Sequence, residues 1–413
     1  MSVVDTLDVA GVVADFPLLS AERTTPLVYL DSAATSQKPR SVIDAMTTYY
    51  ETINANVARG VYGIAEASTN ALEGARAKVA RFIGAPSANE VIFTKNATES
   101  LNLVAQSWGR ANLAAGDTVV LTELEHHANI VPWHLLAAEK GLELRWIPVG
   151  ADGTLDLTDL DRLLDGAALL GLTAMSNVTG ALTPVRRLVD AAHAAGAVIS
   201  LDACQYVPHL PCDVVDLGAD FVSFSGHKMC GPTGIGVLWG RTDLLDAMPP
   251  FLGGGGMIEN VTTEGFTCAP LPHKFEAGTP PIAEVVGLGA AVDYLSALGM
   301  DAVRAHEVHL TDYALGALRE RFGDELVVHG PADPAQRGGV LSLDLVGVHP
   351  HDISQVLDQH GVCVRAGHHC AKPLMRILGV GATARASLYI YNDTSDVDAL
   401  VEALDDARRF FAL

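Results

Sequence analysis

The chain has 413 residues, 49% of them hydrophobic, so it is long enough for roughly two to three domains with a large buried core. Asp and Glu (49) outnumber Lys and Arg (27), and the formal charge of −22 argues against binding to nucleic acid or to an anionic membrane. Residues 1–20 contain no Lys or Arg, no apolar run reaches the roughly 18 residues of a membrane helix, and the six cysteines form no Cys-x-x-Cys pair. We therefore expect a cytoplasmic protein with free thiols.

Short apolar runs alternate with helical patterns between about residues 70 and 240, which predicts parallel strands joined by crossover helices. The predicted strands lie at 90–93, 118–121, 144–147, 169–174, 197–201 and 220–224. Residues 234–239 follow after a turn too short for a crossover helix, which predicts an antiparallel neighbour of the strand at 220–224. The predicted fold class is α/β, with a large domain built on a mainly parallel, mixed sheet flanked by helices.

The remainder of the chain predicts a smaller α+β domain. Pro280-Pro281 opens a long helical pattern near 282–322, and the last helix is predicted at about 396–411. Strands are predicted at 340–345, 362–365 and 386–391. The predicted organisation is an N-terminal segment at 1–25 that packs with the small domain, a large domain at 26–285 and a small C-terminal domain at 286–413.

A lysine and an aspartate follow two successive predicted strands of the large domain. Lys228 ends the stretch Ser225-Gly226-His227-Lys228, and Asp202 follows the strand at 197–201. Taken alone, Lys228 is equally compatible with a solvated lysine at a strand end. Pyridoxal phosphate, however, needs a lysine for its aldehyde and an acid for its pyridinium nitrogen. The pair therefore predicts a site for this cofactor at the carboxyl ends of the strands.

Polar residues also follow other strands of the predicted sheet. Residues 95–99 open a helix, so their backbone amides and the Thr98 hydroxyl are candidates to hold a phosphate, although a plain helix N-cap would also explain Thr98. The flat imidazole of His126 suits stacking on an aromatic cofactor ring. A metal site made of His126 and His127 is disfavoured, because adjacent side chains diverge.

A thiol in a polar loop is the second informative feature. Cys370 follows His368 and His369 and lies downstream of Arg365, surroundings that can lower the pKa of a thiol. The alternatives are a buried structural cysteine and zinc ligation by His368, His369 and Cys370; we favour a reactive thiol, because the stretch is too polar for a core strand. Arg385, predicted at the start of a strand, is either a surface charge or a bidentate clamp for the carboxylate of an amino acid.

With these residues in place, the chain resembles the cysteine desulfurases of the class V aminotransferase superfamily, which have the pyridoxal phosphate fold type I. The resemblance spans nearly the whole chain and is greatest to the SUF-type branch, also called group II. The stretches that carry it are Thr122-Glu123-Leu124-Glu125-His126-His127-Ala128-Asn129, Ser225-Gly226-His227-Lys228, Phe275-Glu276-Ala277-Gly278-Thr279-Pro280 and Arg365-Ala366-Gly367-His368-His369-Cys370.

The resemblance implies a role for each residue of the site. Lys228, Cys370 and His126 would be catalytic, with Lys228 bonded to the cofactor and His126 stacked on its ring. Asn177 would assist Arg385 and Arg365 in binding the substrate. The implied cofactor-binding residues are Lys228, Asp202, Gln205, His126, Asn177, Ala97, Thr98, Ser225 and His227, with Gly278 and Thr279 supplied by the second subunit of a homodimer. No metal is implied.

The implied activity converts L-cysteine to L-alanine, leaves a persulfide on Cys370 and supplies sulfur for iron–sulfur cluster assembly. Relatives with a short cysteine loop depend on a partner that accepts the persulfide. His351 lies nineteen positions before Cys370, as does a histidine that in some relatives exchanges with a ligand of a zinc-type SUF acceptor. The alternative is that the stretch around His351 only caps the next helix, with Asp352 as the N-cap.

The chain departs from most SUF-type relatives around Arg59-Gly60. Tyr62 and Ala58 stand where histidines are frequent, so the contacts of this loop, persulfide handling and partner choice can differ.

Three other functions remain open at this point. Selenocysteine lyase is one, because selenocysteine is nearly isosteric with cysteine. A class V aminotransferase would use Lys228, Asp202 and Arg385 but not Cys370. A non-enzymatic metal-binding or assembly protein would leave Lys228 and Asp202 unexplained.

Overall fold

The structure, a computed structural model, describes residues 7–58 and 60–411. Residues 1–6 of the predicted N-terminal segment, Arg59 of the loop discussed above, and the last two residues of the predicted small domain lie outside the described residues. The strands, in chain order, are β1 (Val28–Tyr29), β2 (Val91–Thr94), β3 (Thr118–Thr122), β4 (Glu143–Ile147), β5 (Ala167–Thr173), β6 (Val198–Asp202), β7 (Phe221–Ser225), β8 (Gly236–Gly240), β9 (Ile258–Val261), β10 (Phe266–Cys268), β11 (Leu326–His329), β12 (Val340–Leu345), β13 (Val362–Cys363), β14 (Arg365–Gly367) and β15 (Thr383–Ser387).

The α-helices flank these strands. In chain order they are α1 (Val9–Asp15), α2 (Pro17–Ser20), α3 (Arg40–Thr52), α4 (Gly63–Phe82), α5 (Ala97–Leu103), α6 (Arg110–Asn112), α7 (Val131–Lys140), α8 (Leu160–Leu164), α9 (Val185–Ala194), α10 (Val214–Leu217), α11 (Thr242–Ala247), α12 (Ile282–Leu298), α13 (Met300–Phe322), α14 (Pro350–Gln359), α15 (Lys372–Ile377) and α16 (Thr394–Phe411). A π-helical stretch, Val104–Gly109, joins α5 to α6.

The larger sheet has seven strands in the order β2-β8-β7-β6-β5-β3-β4. Its central pairs are parallel, and β8 is antiparallel to both β7 and β2. Along β3, Val120 packs into one apolar cluster, whereas Val119 and Leu121 pack into another, so both faces of the sheet are buried, as expected when helices cover both sides. The predicted mixed α/β fold, including the antiparallel neighbour of β7, is confirmed.

The smaller sheet has four antiparallel strands in the order β11-β12-β15-β14, and α13, α14 and α16 share its apolar core. The predicted strand at 340–345 is confirmed as β12. The strand predicted at 386–391 was placed too late, because β15 covers Thr383–Ser387 and Arg385 lies at its centre. The strand predicted at 362–365 is in fact two strands, since β13 pairs with β1 and β14 pairs with β15; β11 was not predicted.

The helix predicted at 282–322 is two helices. Gly299 ends α12, because its backbone has a positive φ of 81°, a conformation that glycine adopts freely. The axes of α12 and α13 differ by 73°. Among the described residues no single helix is long and apolar enough to cross a membrane; this bent pair passes by length and composition only when taken together.

The N-terminal part of the chain contacts α12, β13 and the segment after β15. Phe16 packs edge-on against Tyr294 of α12 and against Tyr391, which follows β15. β1 then pairs in parallel with β13, so residues 28–29 of the predicted large domain are attached to strands of the smaller one. The domain bounds at 25 and 285 stay a prediction.

A buried ion pair fixes the segment between β10 and α12 against α4 and β2. Arg76 of α4, whose side chain is fully buried, donates to Glu276 at 2.6 and 2.8 Å, and the backbone N–H of Phe93 donates to the same carboxylate at 2.7 Å. Glu73, whose side chain is 43% exposed, also contacts Arg76 at 2.9 Å, so without Glu276 the buried guanidinium keeps only this partly exposed partner, and the loss of a buried partner is costly.

We therefore expect Glu276→Ala to lower the free energy of unfolding by about 3 kcal/mol, as measured by urea denaturation. Asp293→Ala, which removes the exposed partner of Lys78, is the matched control and should cost less than about 1 kcal/mol. Equal losses for the two variants would contradict the structural role of the buried pair.

Candidate active site

A cavity of about 600 Å³ lies between the carboxyl ends of the large sheet and the small sheet's strands β14 and β15. The structure brings nearly all of the predicted site residues together around it. Those lining the cavity are Ala97, Thr98, His126, Asn177, Asp202, Gln205, Ser225, His227, Lys228, His351, Arg365, Cys370 and Arg385. Residues far apart in sequence therefore form one site, as expected at the carboxyl ends of parallel strands.

Two neighbouring strands place the acid and the lysine. β6 ends at Asp202, which is buried and accepts a hydrogen bond from the backbone N–H of Cys204 at 3.0 Å. β7 ends at Ser225, and a single 3₁₀ turn over Gly226–Lys228 carries the lysine side chain to the cavity. The register pairs Asp202 with Ser223, so the two functional groups emerge from adjacent strands.

His126 lies in the same cavity as an uncharged imidazole. Its Nδ1 accepts a hydrogen bond from the backbone N–H of Ala128 at 3.0 Å. Burial lowers the pKa of His126 to about 4; the positive charge of Lys228 acts in the same direction, and the carboxylate of Asp202 opposes it. The ring is therefore neutral at neutral pH, which suits a flat aromatic contact rather than an ion pair.

Gln205 has a buried side-chain oxygen that is free to bind a cofactor. Its Nε2 donates to the carbonyl oxygen of Ala33 at 2.8 Å, whereas its buried Oε1 has no hydrogen-bond partner among the described residues. Buried polar atoms rarely stay unpaired in the functional state of a protein, so this oxygen is available to a ligand. Together with Lys228, Asp202 and neutral His126, it forms a set of groups that fits pyridoxal phosphate.

The start of α5 also lines the cavity. Asn96, not Thr98, is the N-cap, because the Asn96 side chain accepts from the N–H of Glu99 at 3.0 Å. The alternative explanation of Thr98 as a helix cap is therefore wrong, and Thr98 is an exposed residue of the cavity lining without that task. β8 can pass close by because it has glycine there: a Cβ on Gly236 would lie 2.5 Å from the backbone of Asn96.

Ser225 and His227 also line the cavity. Ser225 Oγ accepts from the backbone N–H of Ala97 at 2.9 Å, which joins the end of β7 to the start of α5. His227 Nδ1 lies 3.2 Å from the hydroxyl of Thr35, and burial, followed by the charges of Lys228 and Lys38, lowers the pKa of His227 to about 4. The residues predicted to hold a phosphate thus lie in one cavity, and their role there stays a prediction.

Cys370 is exposed on a tightly held loop. Both His369 (φ 49°) and Cys370 (φ 55°) have left-handed backbone conformations, which are strained for residues other than glycine. Asn177 donates to the carbonyl oxygen of His369 at 2.7 Å, and the N–H of His127 donates to that of Cys370 at 2.7 Å. The thiol is thus accessible while its backbone is fixed from the large domain.

The two histidines before Cys370 have different surroundings. His368 Nδ1 accepts from the N–H of Cys370 at 3.1 Å, and its ring lies 5.7 Å from that of His127. His369 is buried, with Nε2 2.9 Å from the hydroxyl of Thr383, and burial lowers its pKa to about 3. Across residues 7–58 and 60–411, no three His, Cys, Asp or Glu side chains lie close enough to hold a metal, so the geometry gives no support to the zinc alternative.

The two predicted arginines lie directly opposite each other on β14 and β15. Arg385 is buried, so it is not the surface charge of the alternative interpretation, and its Nη1 donates to the backbone oxygen of Asn177 at 2.9 Å. Asp31 contacts both arginines and was missed in the sequence. An acid directly after the apolar stretch 28–30 is the signal that could have identified it.

His351 is the second residue of α14 and lines the cavity. The helix N-cap is His349, whose Nδ1 accepts from the N–H of His351 at 3.3 Å; the alternative that Asp352 is the cap is therefore wrong. The two imidazoles are stacked, with ring centres 5.4 Å apart.

Gly278 and Thr279 are the predicted site residues that the structure leaves outside this cavity. Gly278 adopts φ 88° and donates its N–H to Gly255 at 2.7 Å. Thr279 lines a separate hollow with Lys95 and Leu252. The loop with the two departures from the SUF pattern is also separate: Ala58 has φ 73°, and Tyr62, 54% exposed, precedes α4.

Comparison with known proteins identifies the family. Residues 28–400 match the family model described as "Aminotransferase class-V". The chain belongs to the class V aminotransferases. Curated relatives in this family include a "Probable cysteine desulfurase" of Streptomyces coelicolor, 52% identical over 98% of both chains, and the "Cysteine desulfurase" of Haloferax volcanii, 49% identical over 98% of both.

Solved structures agree with this assignment. The apo cysteine desulfurase of Thermococcus onnurineus superposes with a TM-score of 0.93 at 38% identity, covering 98% of both chains. The Escherichia coli cysteine desulfurase CsdA in its S-sulfonic acid form superposes with a TM-score of 0.90 at 39% identity, covering 99% of this chain and 100% of that one. The predicted superfamily, fold and enzyme class, cysteine desulfurase, are confirmed.

Proposed function

We propose that this class V aminotransferase uses pyridoxal phosphate to convert L-cysteine to L-alanine, with Cys370 taking the sulfur as a persulfide. The observation that carries the proposal is the position of the accessible Cys370 in the same cavity as Lys228 and Arg385. The site thus combines a primary amine, a cation for an amino-acid carboxylate and a thiol. The relatives named above carry the same activity in their names.

In the proposed site, Lys228 would hold the cofactor, Asp202 would pair with its ring nitrogen and His126 would stack on it. Gln205 and Asn177 would address the ring hydroxyl, and Ala97, Thr98, Ser225 and His227 would hold the phosphate. When bound, pyridoxal phosphate supplies an electron sink that makes the α-proton of the amino acid removable. The unpaired oxygen of Gln205 and the neutral ring of His126 support this assignment.

The chain's own residues then have separate tasks. Arg385, assisted by Asn177 and with Arg365 beside the cysteine loop, orients the substrate through its carboxylate. The Lys228 amine accepts the α-proton of the bound amino acid. The Cys370 thiolate attacks the substrate sulfur, so that an S–S bond forms, the carbon–sulfur bond breaks and, after protonation at carbon, L-alanine leaves.

Other functions with the same fold fit less well. A plain aminotransferase would not need an accessible thiol on a strained loop inside the cavity, yet Cys370 is there. The selenocysteine lyase alternative becomes a question of substrate preference for this cysteine desulfurase, because selenocysteine is nearly isosteric with cysteine. Competition between L-cysteine and L-selenocysteine for the enzyme measures that preference.

We further propose a SUF-type enzyme that works as a cytoplasmic homodimer in iron–sulfur cluster assembly. Gly278 and Thr279 lie outside the cavity of their own chain, which supports a role for them at the site of a second copy. All six cysteines are free thiols, which supports a reducing compartment.

The proposed sulfur acceptor is a zinc-type SUF protein that approaches through His351. This imidazole lies on α14 at the wall of the cavity that also contains Cys370, so a partner that reaches the thiol would meet it. Imidazole is a common ligand of zinc, which makes a transient exchange with a zinc ligand of the acceptor chemically reasonable.

We expect Cys370→Ala to keep its bound, yellow cofactor but to produce no L-alanine from L-cysteine, because the sulfur has no acceptor. Alanine formation is the measurement, and the cofactor's visible absorbance verifies the site. Cys363→Ala, which removes a half-buried thiol of β13 outside the cavity, is the control and should retain activity. Wild-type alanine production by the Cys370→Ala enzyme would refute the nucleophile assignment.

We expect His351→Ala to lose most of the acceleration that a zinc-loaded SUF acceptor gives, so that the ratio of turnover with and without acceptor falls towards one. His134→Ala, which removes an exposed imidazole of α7 outside the cavity, is the comparison variant and should keep that ratio. No acceleration of the wild-type enzyme by the acceptor would rule out this partner.

A further inference from the structure

Asp31 is fixed beside Arg365 and Arg385, the two arginines of β14 and β15. The backbone oxygen of Leu30 accepts from the N–H of Ser387 at 2.7 Å, and Asp31 itself forms a parallel bridge with Ser387 on β15. Asp31 is thereby anchored to the strand that carries Arg385. It does not itself line the cavity.

Its carboxylate pairs with both guanidinium groups. Arg365 reaches it through Nε at 3.2 Å and Nη2 at 2.9 Å, and Arg385 through Nη2 at 3.4 Å. Arg365 and Arg385 are direct cross-strand neighbours on β14 and β15, an arrangement that repels when both residues carry the same charge. The acid between them offsets this repulsion.

Because Arg385 is buried, the charges of its neighbours affect it strongly. Only 3% of its side chain is exposed, compared with 51% for Arg365, so charges near Arg385 are weakly screened. Burial lowers the pKa of Arg385 to about 10, while Asp31 acts to raise it. Arg385 uses one N–H on Asn177 and one on Asp31, and its buried Nε has no partner among the described residues, so donors remain for a carboxylate.

We propose that Asp31 is a specificity-determining positioning residue, which cancels one of the two arginine charges and leaves a single cation for a single substrate carboxylate. Asp31 also keeps Arg365 occupied, so that it is not available to bind a second carboxylate. The site therefore selects amino acids with an uncharged side chain over dicarboxylic amino acids. This inference rests on the proposed function, since it assumes that an amino acid binds at Arg385.

The test compares two amino acids that lack sulfur and so cannot turn over as cysteine does: L-alanine and L-aspartate. Each is titrated into the purified holoenzyme, and its Kd is read from the change in the visible absorbance of the bound cofactor. In Asp31→Asn, Arg365 is released and the charge at the site rises, so the preference for L-alanine over L-aspartate should fall about tenfold. Asp31→Glu should retain the wild-type preference, and so should Asp344→Asn, which removes one negative charge from β12 outside the cavity.

A second set of variants keeps the test decisive if Asp31→Asn is poorly folded. In Arg365→Gln, Asp31 cancels the charge of Arg385, so the Kd for L-alanine should rise about tenfold. In the double variant Asp31→Asn/Arg365→Gln, one cation is restored, and the affinity for L-alanine should return towards the wild-type value. A purely structural role for Asp31 would make the double variant worse than Arg365→Gln.

The two hypotheses fail in distinguishable ways. If the wild-type enzyme responds to L-alanine but the preference is the same in Asp31→Asn, or changes as much in Asp344→Asn, the role of Asp31 is refuted and the proposed function stands. If the wild-type enzyme responds to neither amino acid but forms L-alanine from L-cysteine, the role of Asp31 is refuted and the proposed function stands; if it also forms no L-alanine, both are refuted.

Discussion

The active site depends on one short stretch of chain, residues 30–38, which is hydrogen-bonded to both sheets. On the small sheet it holds β15 through the backbone of Leu30 and Asp31. On the large sheet, Lys38 and Thr35 donate to the carbonyl oxygen of His227, the residue before the lysine, at 3.0 Å each. The same segment is therefore hydrogen-bonded both to the turn that carries Lys228 and to the strand that carries Arg385. It sets the position of the lysine relative to the arginine that would bind the substrate carboxylate.

Burial then divides the chemistry among the site residues. Burial keeps His126 and His227 neutral, so neither imidazole competes with the arginines for the carboxylate of the substrate. Burial also lowers the pKa of Lys38 to about 8. Its ammonium group donates to the backbone oxygen of His227. Cys370 is the contrast: its backbone is strained and anchored, but its thiol is accessible. A nucleophile that must first meet a substrate and then a partner needs this combination of fixed position and access.

Much of the site could be predicted from the sequence, because strand ends mark it. Asp202 and Lys228 follow apolar runs whose alternation with helices predicts a parallel sheet, and such sheets bring their carboxyl ends together. For Asp31, the apolar stretch before it marks only a strand end, and its contact with Arg385, 354 positions away, is visible only in three dimensions. The break at Gly299 escaped for a related reason: α12 and α13 continue one helical pattern, and the left-handed glycine shows itself only in three dimensions.

The central claim is that the sulfur of L-cysteine passes to Cys370, and mass spectrometry of the protein tests it most directly. After brief exposure of the holoenzyme to L-cysteine without an acceptor or reductant, the peptide containing Cys370 should gain the mass of one sulfur atom, and the gain should disappear after treatment with a reductant. Sulfur found on another cysteine, such as Cys204 at the cavity wall, or on none, would contradict the account.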